Sequence, residues 1–213
     1  MITAIIFDAE GVVIDSEAVW DHGQAEFLRR RGVAYDRESL KSVLTGRSLV
    51  DGVRVMQERY GFPGDPDALA EERKAIVRDL FATAVSWVDG FEGFYARIRG
   101  CYRTALATCL DPDLLAVVER RLHLSALFRG RVFSLADVGF VAKPDPALFL
   151  YAARVLQTPA AQCLVIEDAP LGVEAAKRAG MRCVALTTTY DRSRLLQADV
   201  VIAQYAQLDI HLL

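Results

Sequence analysis

The chain has 213 residues, 53% of them hydrophobic, with 25 basic and 28 acidic side chains and a formal net charge of −3. That length and apolar content suit one large domain, or a domain carrying a smaller inserted partner. The charges form no block and no basic stripe, no apolar run approaches the roughly 18 residues of a membrane span, and the opening residues are an apolar strand running into acids. Nucleic acid, membrane and a secretory leader are therefore not expected.

In chain order, short apolar runs predict strands over 2–7, 102–107, 131–134, 163–166, 182–186 and 200–203. Amphipathic stretches separate the later ones. The run 111–122 carries apolar residues at 114, 115, 117, 118 and 122, with Asp111 as N-cap and Pro112 in the first turn. Asp145-Pro146 repeats that device ahead of A-L-F-L-Y-A-A-R-V-L, and a third helix over 171–179 is closed by Gly180. Strands alternating with helices predict a doubly wound, Rossmann-like parallel sheet. Between the first two strands the rhythm breaks. Helices are expected over 17–31, 36–44, 49–60, 67–84 and 91–99, with breaks at Gly32, at T-G-R-S (45–48) and at G-F-P-G-D-P (61–66). A strand-to-helix connection usually takes a few residues, so 15–85 is expected to be a separate helical domain inserted into an α/β core of 1–14 and 86–213.

The four cysteines, Cys101, Cys109, Cys163 and Cys183, have no metal-ligand spacing and each stands in or beside an apolar run. They read as reduced, buried thiols of a cytoplasmic protein. Ligands of open α/β sheets bind at the carboxyl ends of the strands. The residues that follow the strands are Asp8 and Glu10 after the first, Thr108 and Cys109 after the second, Lys143 after a longer loop, and Glu167 and Asp168 after the fourth. A lone acid at a strand end is usually a helix cap, but four carboxylates brought to one edge need a counter-charge. A hard divalent cation with oxygen ligands supplies one, and a lysine and a hydroxyl beside it suit the other oxygens of a phosphoryl group.

With these residues in place the chain resembles the haloacid dehalogenase superfamily, in the branch of β-phosphoglucomutase and phosphoglycolate phosphatase. The resemblance rests on F-D-x-x-G-V-V-I-D-S-E at Asp8, A-L-A-T at Thr108, A-K-P-D-P-x-x-F at Lys143 and V-I-E-D-A-P-x-G-V-E-A-A-x-x-A-G-M at Glu167 and Asp168, with the helical insert where that family has its cap. It implies a Mg2+-dependent phosphomonoesterase for a small phosphorylated metabolite. Asp8 would be the nucleophile that becomes an aspartyl-phosphate and a metal ligand. Glu10 would bind Mg2+ through its backbone carbonyl and act as acid and base through its side chain. Thr108 would hold a phosphoryl oxygen, Cys109 would make a backbone contact to it, and Lys143 would neutralise charge. Asp168 with Glu167 would complete the metal site. Arg47 and Lys74 would reach the substrate from the cap.

Two positions depart from the family. Trp20 stands where β-phosphoglucomutases carry a cap histidine, and His22 lies on another helical face, which weighs against a mutase. Glu10 stands where the family uses aspartate and lengthens the acid/base arm by one methylene. The alternatives are a phosphosugar isomerase, or a phospho-metabolite binder that lost turnover at Glu10. A dehalogenase would lack the acids Glu167 and Asp168. Asp15 is expected to end the first hinge segment and hydrogen-bond locally, and Gly11 and Gly172 to permit a tight turn and close backbone approach. A monomer or weak homodimer is expected.

Overall fold

The computed structural model describes residues 1–44 and 49–209. In chain order the elements are β1 (Ala4–Phe7), β2 (Ile14–Asp15), α1 (Glu17–Arg29), α2 (Arg37–Leu44), α3 (Leu49–Tyr60), α4 (Pro66–Ala84), β3 (Ser86–Trp87) and α5 (Phe91–Ile98). There follow β4 (Arg103–Ala107), α6 (Pro112–Leu122), α7 (Leu124–Leu127), β5 (Val132–Phe133), α8 (Ala147–Val155), β6 (Cys163–Glu167), α9 (Pro170–Arg178), β7 (Arg182–Leu186) and β8 (Val200–Ile202). The chain divides into two compact units, Met1–Ser16 with Ser86–Leu213, and Glu17–Val85.

The first unit is built on a six-stranded sheet in the order β5-β4-β1-β6-β7-β8. Every pairing in it is parallel. β1 lies at its centre, and both of its faces are covered, which is why it reads as a continuous apolar run. Ala4 and Ile6 join the cluster of Leu148 and Phe149 on α8 and Val173 and Ala176 on α9. On the other face, the Phe7 ring meets Phe91, Phe94, Tyr95 and Phe128 edge-on or tilted, at 5.8 to 6.3 Å. From β1 the chain fills one side of the sheet with β4 and β5, then returns to β6 on the other side, so the order reverses between β1 and β6. That is where open α/β sheets bind ligands.

Local signals set the helix ends. Asp111 caps α6 by accepting from the backbone of Asp113 and Leu114. Asp145 accepts from Ala147 N at 2.8 Å, but the cap position itself is Pro146, one residue later than the dipeptide rule placed it. α1 stops at Arg29, two residues before the expected end, because Arg31 and Gly32 bond back three residues and Gly32 turns at φ +69°. β2 and β3 form an antiparallel ribbon, Ile14 opposite Trp87 and Asp15 opposite Ser86. The expected boundary after residue 14 thus falls inside β2, whose partner strand lies in the α/β unit. Asp15 is exposed there, and among the described residues its side chain makes no hydrogen bond, contrary to the local bond expected.

The second unit consists of α1 to α4 around Phe27, Leu28, Leu40, Val53, Met56, Phe62 and Ile76. Gly23 on α1 lies so near Val77 on α4 that a Cβ would come within 2.7 Å of its methyl group. No helix among the described residues is long and apolar enough to cross a membrane. Cys163 and Cys183 are buried and Cys109 is half-buried, but Cys101 is exposed, which corrects the expectation of four buried thiols. It sits in the turn after α5, not in the strand that follows.

Candidate active site

Asp8 directly follows β1. Its N–H donates to Ile166 O at 2.9 Å, which ties it to the end of β6 and sets it beside Glu167. Asp8, Thr108, Glu167 and Asp168 are all buried. Lys143 Nζ donates to Asp8 Oδ1 and to Glu167 Oε1, both at 2.5 Å. It also lies 4.8 Å from the centre of the Phe149 ring, so the phenylalanine of K-P-D-P-x-x-F forms a face beneath the ammonium. Glu167 Oε2 accepts from the N–H of Asp168 and of Ala169, at 2.8 and 2.9 Å. Ala169 is the N-cap of α9, so this carboxylate sits at the helix's positive end.

Two glycines make room for the acids. Gly11 turns at φ +67°, and a Cβ there would stand 1.9 Å from Asp168 Oδ2. A Cβ on Gly172 would stand 1.7 Å from Glu167 Oε1. Neither site tolerates a side chain without displacing a carboxylate.

The charges are strongly coupled. Burial pushes the Asp8 carboxyl up to about 7; Lys143 pulls it down, while Glu167 and, more weakly, Glu10 push it up. Burial acts to lower Lys143, but Asp8 and Glu167 outweigh that and hold it above its ordinary value, so it remains charged. Asp168 is raised well above the carboxylate range by burial and by the charges of Glu167 and Asp8.

Asp8, Glu167 and Asp168 each offer an oxygen, all within 4.8 Å of one another. With all three acids ionised, as a bound cation would hold them, three carboxylates against one ammonium leave two negative charges, the charge of one divalent cation. The donors are all oxygen, as Mg2+ prefers, and the two glycines let the carboxylates pack where a side chain would otherwise stand. The residues present therefore fit a hard divalent cation.

Thr108 stands at the end of β4, next to β1. Its N–H donates to Phe133 O at 2.9 Å and its hydroxyl oxygen accepts from Leu110 N at 3.0 Å, leaving the hydroxyl hydrogen to donate. Cys109 is hydrogen-bonded to the main chain of Lys143, and burial raises its thiol, so it is not poised as a nucleophile. Glu10 is half-buried in the turn after β1, bridged to Ile14. In the helical unit, Lys74 lies half-buried on α4, Trp20 on α1 meets the edge of Phe81, and His22 is exposed. Arg47 lies outside the described residues.

Sequence reasoning missed the hydroxyls at the end of β7. Thr188 Oγ1 donates to Gly11 O at 2.6 Å, and Thr189 hydrogen-bonds Asp168. The signal was the run L-T-T-T-Y at a strand end.

A family model for haloacid dehalogenase-like hydrolases matches residues 2–180. The chain is 32% identical over 203 residues to the chloroplastic protein SUPPRESSOR OF QUENCHING 1 of Arabidopsis thaliana, a match that covers 92% of this chain and 19% of that protein. It thus spans about a fifth of that relative's length. It is 32% identical over 209 residues to validoxylamine A 7'-phosphate phosphatase of Streptomyces hygroscopicus subsp. limoneus, covering 98% of this chain and 96% of that one. In fold it is similar to the crystal structure of a HAD family hydrolase from Deinococcus radiodurans with bound phosphate and sodium. The TM-score is 0.82 at 24% identity, over 99% of this chain and 95% of that one. The chain therefore belongs to the haloacid dehalogenase-like hydrolases, an enzyme family that includes the phosphatase it matches along almost its whole length.

Proposed function

We propose that this phosphatase is a Mg2+-dependent phosphomonoesterase that works through an aspartyl-phosphate on Asp8. The observation that carries the reading is the buried lysine held 2.5 Å from both Asp8 and Glu167, with Asp168 completing an oxygen cluster. The substrate is a small phosphorylated metabolite, a class represented by the validoxylamine A 7'-phosphate of the full-length relative's name.

Asp8, the Glu10 main-chain carbonyl, Glu167 and Asp168 would hold the cation. A bound Mg2+ would supply positive charge that offsets the charge of the nucleophile and the phosphoryl group. Asp8 attacks phosphorus through a carboxylate oxygen; the new O–P bond forms as the bond to the substrate oxygen breaks. Glu10 gives its proton to that leaving oxygen, then takes one from the water that attacks the aspartyl-phosphate. Phosphate departs and Asp8 is regenerated. Lys143 stays charged throughout and orients Asp8. Thr108 donates to a phosphoryl oxygen, and Cys109 contributes its main chain. Trp20 cannot carry a proton, which favours hydrolysis over the mutase reaction.

The helical unit takes the part of a cap, with Arg47 and Lys74 as substrate contacts and water excluded during the first transfer. A cytoplasmic protein, monomeric or weakly dimeric, with no nucleic-acid partner belongs to the same reading. The test is phosphate release from sugar phosphates, nucleotides, phosphoglycolate and an aryl phosphate, with Mg2+ and with chelator. Release that needs Mg2+ is expected. Full activity in chelator, or no release from any of them, overturns the proposal.

A further inference from the structure

The cation site is assembled from two loops that do not follow one another in sequence. One is the turn after β1, with Asp8, Glu10 and Gly11. The other is the end of β6, with Glu167 and Asp168. Asp8 is fixed to β6 by its own N–H, but the far end of the turn needs another tie. The loop after β7 provides it. Thr188 Oγ1 donates to Gly11 O at 2.6 Å and stands 3.4 Å from Asp168 Oδ2. The adjacent Thr189 hydrogen-bonds the same Asp168 carboxylate, and its Oγ1 would lie 2.8 Å from a Cβ on Gly11. The two hydroxyls therefore meet the turn and the acid at their point of closest approach.

We propose that Thr188 and Thr189 are positioning residues that lock the Glu10–Gly11 turn to Asp168 and so set the spacing of the cation site. This rests on the proposed Mg2+ dependence. Thr188 holds Gly11, whose carbonyl follows that of Glu10 in the chain; Thr189 holds the acid on the other side. Neither touches the reacting atoms. The tie also explains why the turn can be pressed so near Asp168 with no side chain between them. At a centre where glutamate's longer arm must still deliver its carboxylate, a fixed backbone is what allows the reach to be reproducible.

The experiment measures Mg2+ binding by calorimetry, without substrate, for the parent protein and for Thr188→Val, Thr189→Val and Thr188→Ser. Valine keeps the shape and removes the hydroxyl. Loss of a residue that orients a metal ligand typically costs about 10- to 100-fold in metal affinity. Each valine variant is expected to weaken Mg2+ binding by about that factor, and Thr188→Ser to restore the parent value. With Mg2+ raised to saturation, the substrate KM should return to that of the parent. Thr188 is exposed, so its variants are expected to fold, which thermal unfolding checks. Parent-like Mg2+ affinity in both valine variants overturns this inference and leaves the proposed function standing. A parent protein that binds no Mg2+ overturns both.

Discussion

The two units differ in whether they bury ion pairs. The α/β unit has surface pairs such as Lys177 with Asp199, but it also buries ionic groups together, with Lys143 between Asp8 and Glu167 and Asp168 packed against Gly11. In the helical unit the pairs are half-buried or at the surface, as Arg31 with Glu72, Arg37 with Asp21, and Lys41 with Glu17. Exposed pairs of that kind each contribute about 0 to 1 kcal/mol, whereas removing one partner of a buried pair costs roughly 3–5 kcal/mol. Burying charge is expensive, and the α/β unit does it where Asp8, Lys143, Glu167 and Asp168 meet. Among the described residues the helical unit has one exception. Arg73 is buried, its Nε has no hydrogen-bond partner, and among the described residues no acid pairs with it. Burial lowers its guanidinium to about 10 and Tyr35 only partly opposes this, so it stays charged at neutral pH.

Substitutions in the two units should differ accordingly. The largest effect belongs to Glu10. Acid/base catalysis contributes about 10²–10⁴-fold, and Glu10→Gln should lose that much turnover. Glu10→Asp should slow turnover by about 10- to 100-fold if the site is adapted to glutamate, since a misplacement of roughly 1 Å can cost about 100-fold. Steady-state rates on one aryl phosphate decide it. Faster turnover by Glu10→Asp would mean a weakened aspartate site. Gly172→Ala comes next: its Cβ would collide with the Glu167 carboxylate and, through it, shift Lys143. A drop of about 100-fold in kcat/KM is expected by the same misplacement reasoning. An unchanged rate would show that Glu167 can move without consequence.

In the helical unit the sign should reverse. Arg73→Met removes a buried guanidinium that, among the described residues, faces the Trp20 ring at 5.8 Å and has no acid beside it, and should raise stability by about 1–3 kcal/mol in urea unfolding. A loss of stability would contradict the view that no acid offsets the Arg73 charge. The smallest effect is at Glu72, whose carboxyl is held below its ordinary value by hydrogen bonds from Arg31 and then Arg30, with burial opposing. Because its folded value is depressed, its contribution is complete above the unfolded value of about 4.3 and disappears as pH falls below it. Glu72→Gln should cost at most about 1 kcal/mol at neutral pH and should flatten that acid limb. A larger cost would make this pair behave like the buried ones.

Much of this architecture could be read from residues alone. The strands were legible because a parallel sheet covered on both faces leaves continuous apolar runs, as over 4–7 and 163–166. The acids were legible because Asp8 and the pair Glu167-Asp168 each follow such a run directly. The β2–β3 ribbon was not, since two-residue strands have no period to detect. Nor were the contacts of Thr188 and Thr189, because the run L-T-T-T-Y marks hydroxyls at a strand end but not the residues opposite them. Cys101 was expected to be buried because it stands beside an apolar run, but the chain is still turning there and leaves it exposed.

The central claim is that the buried acids exist to make Asp8 a phosphoryl acceptor. It is tested most directly by quenching the enzyme in acid during turnover of an aryl phosphate with Mg2+, reducing with borohydride and mapping the peptides by mass spectrometry. The account predicts conversion of Asp8 to homoserine, absent without substrate and absent in Asp8→Asn. Modification of any other residue, or turnover with no acyl-phosphate on the chain, would contradict it.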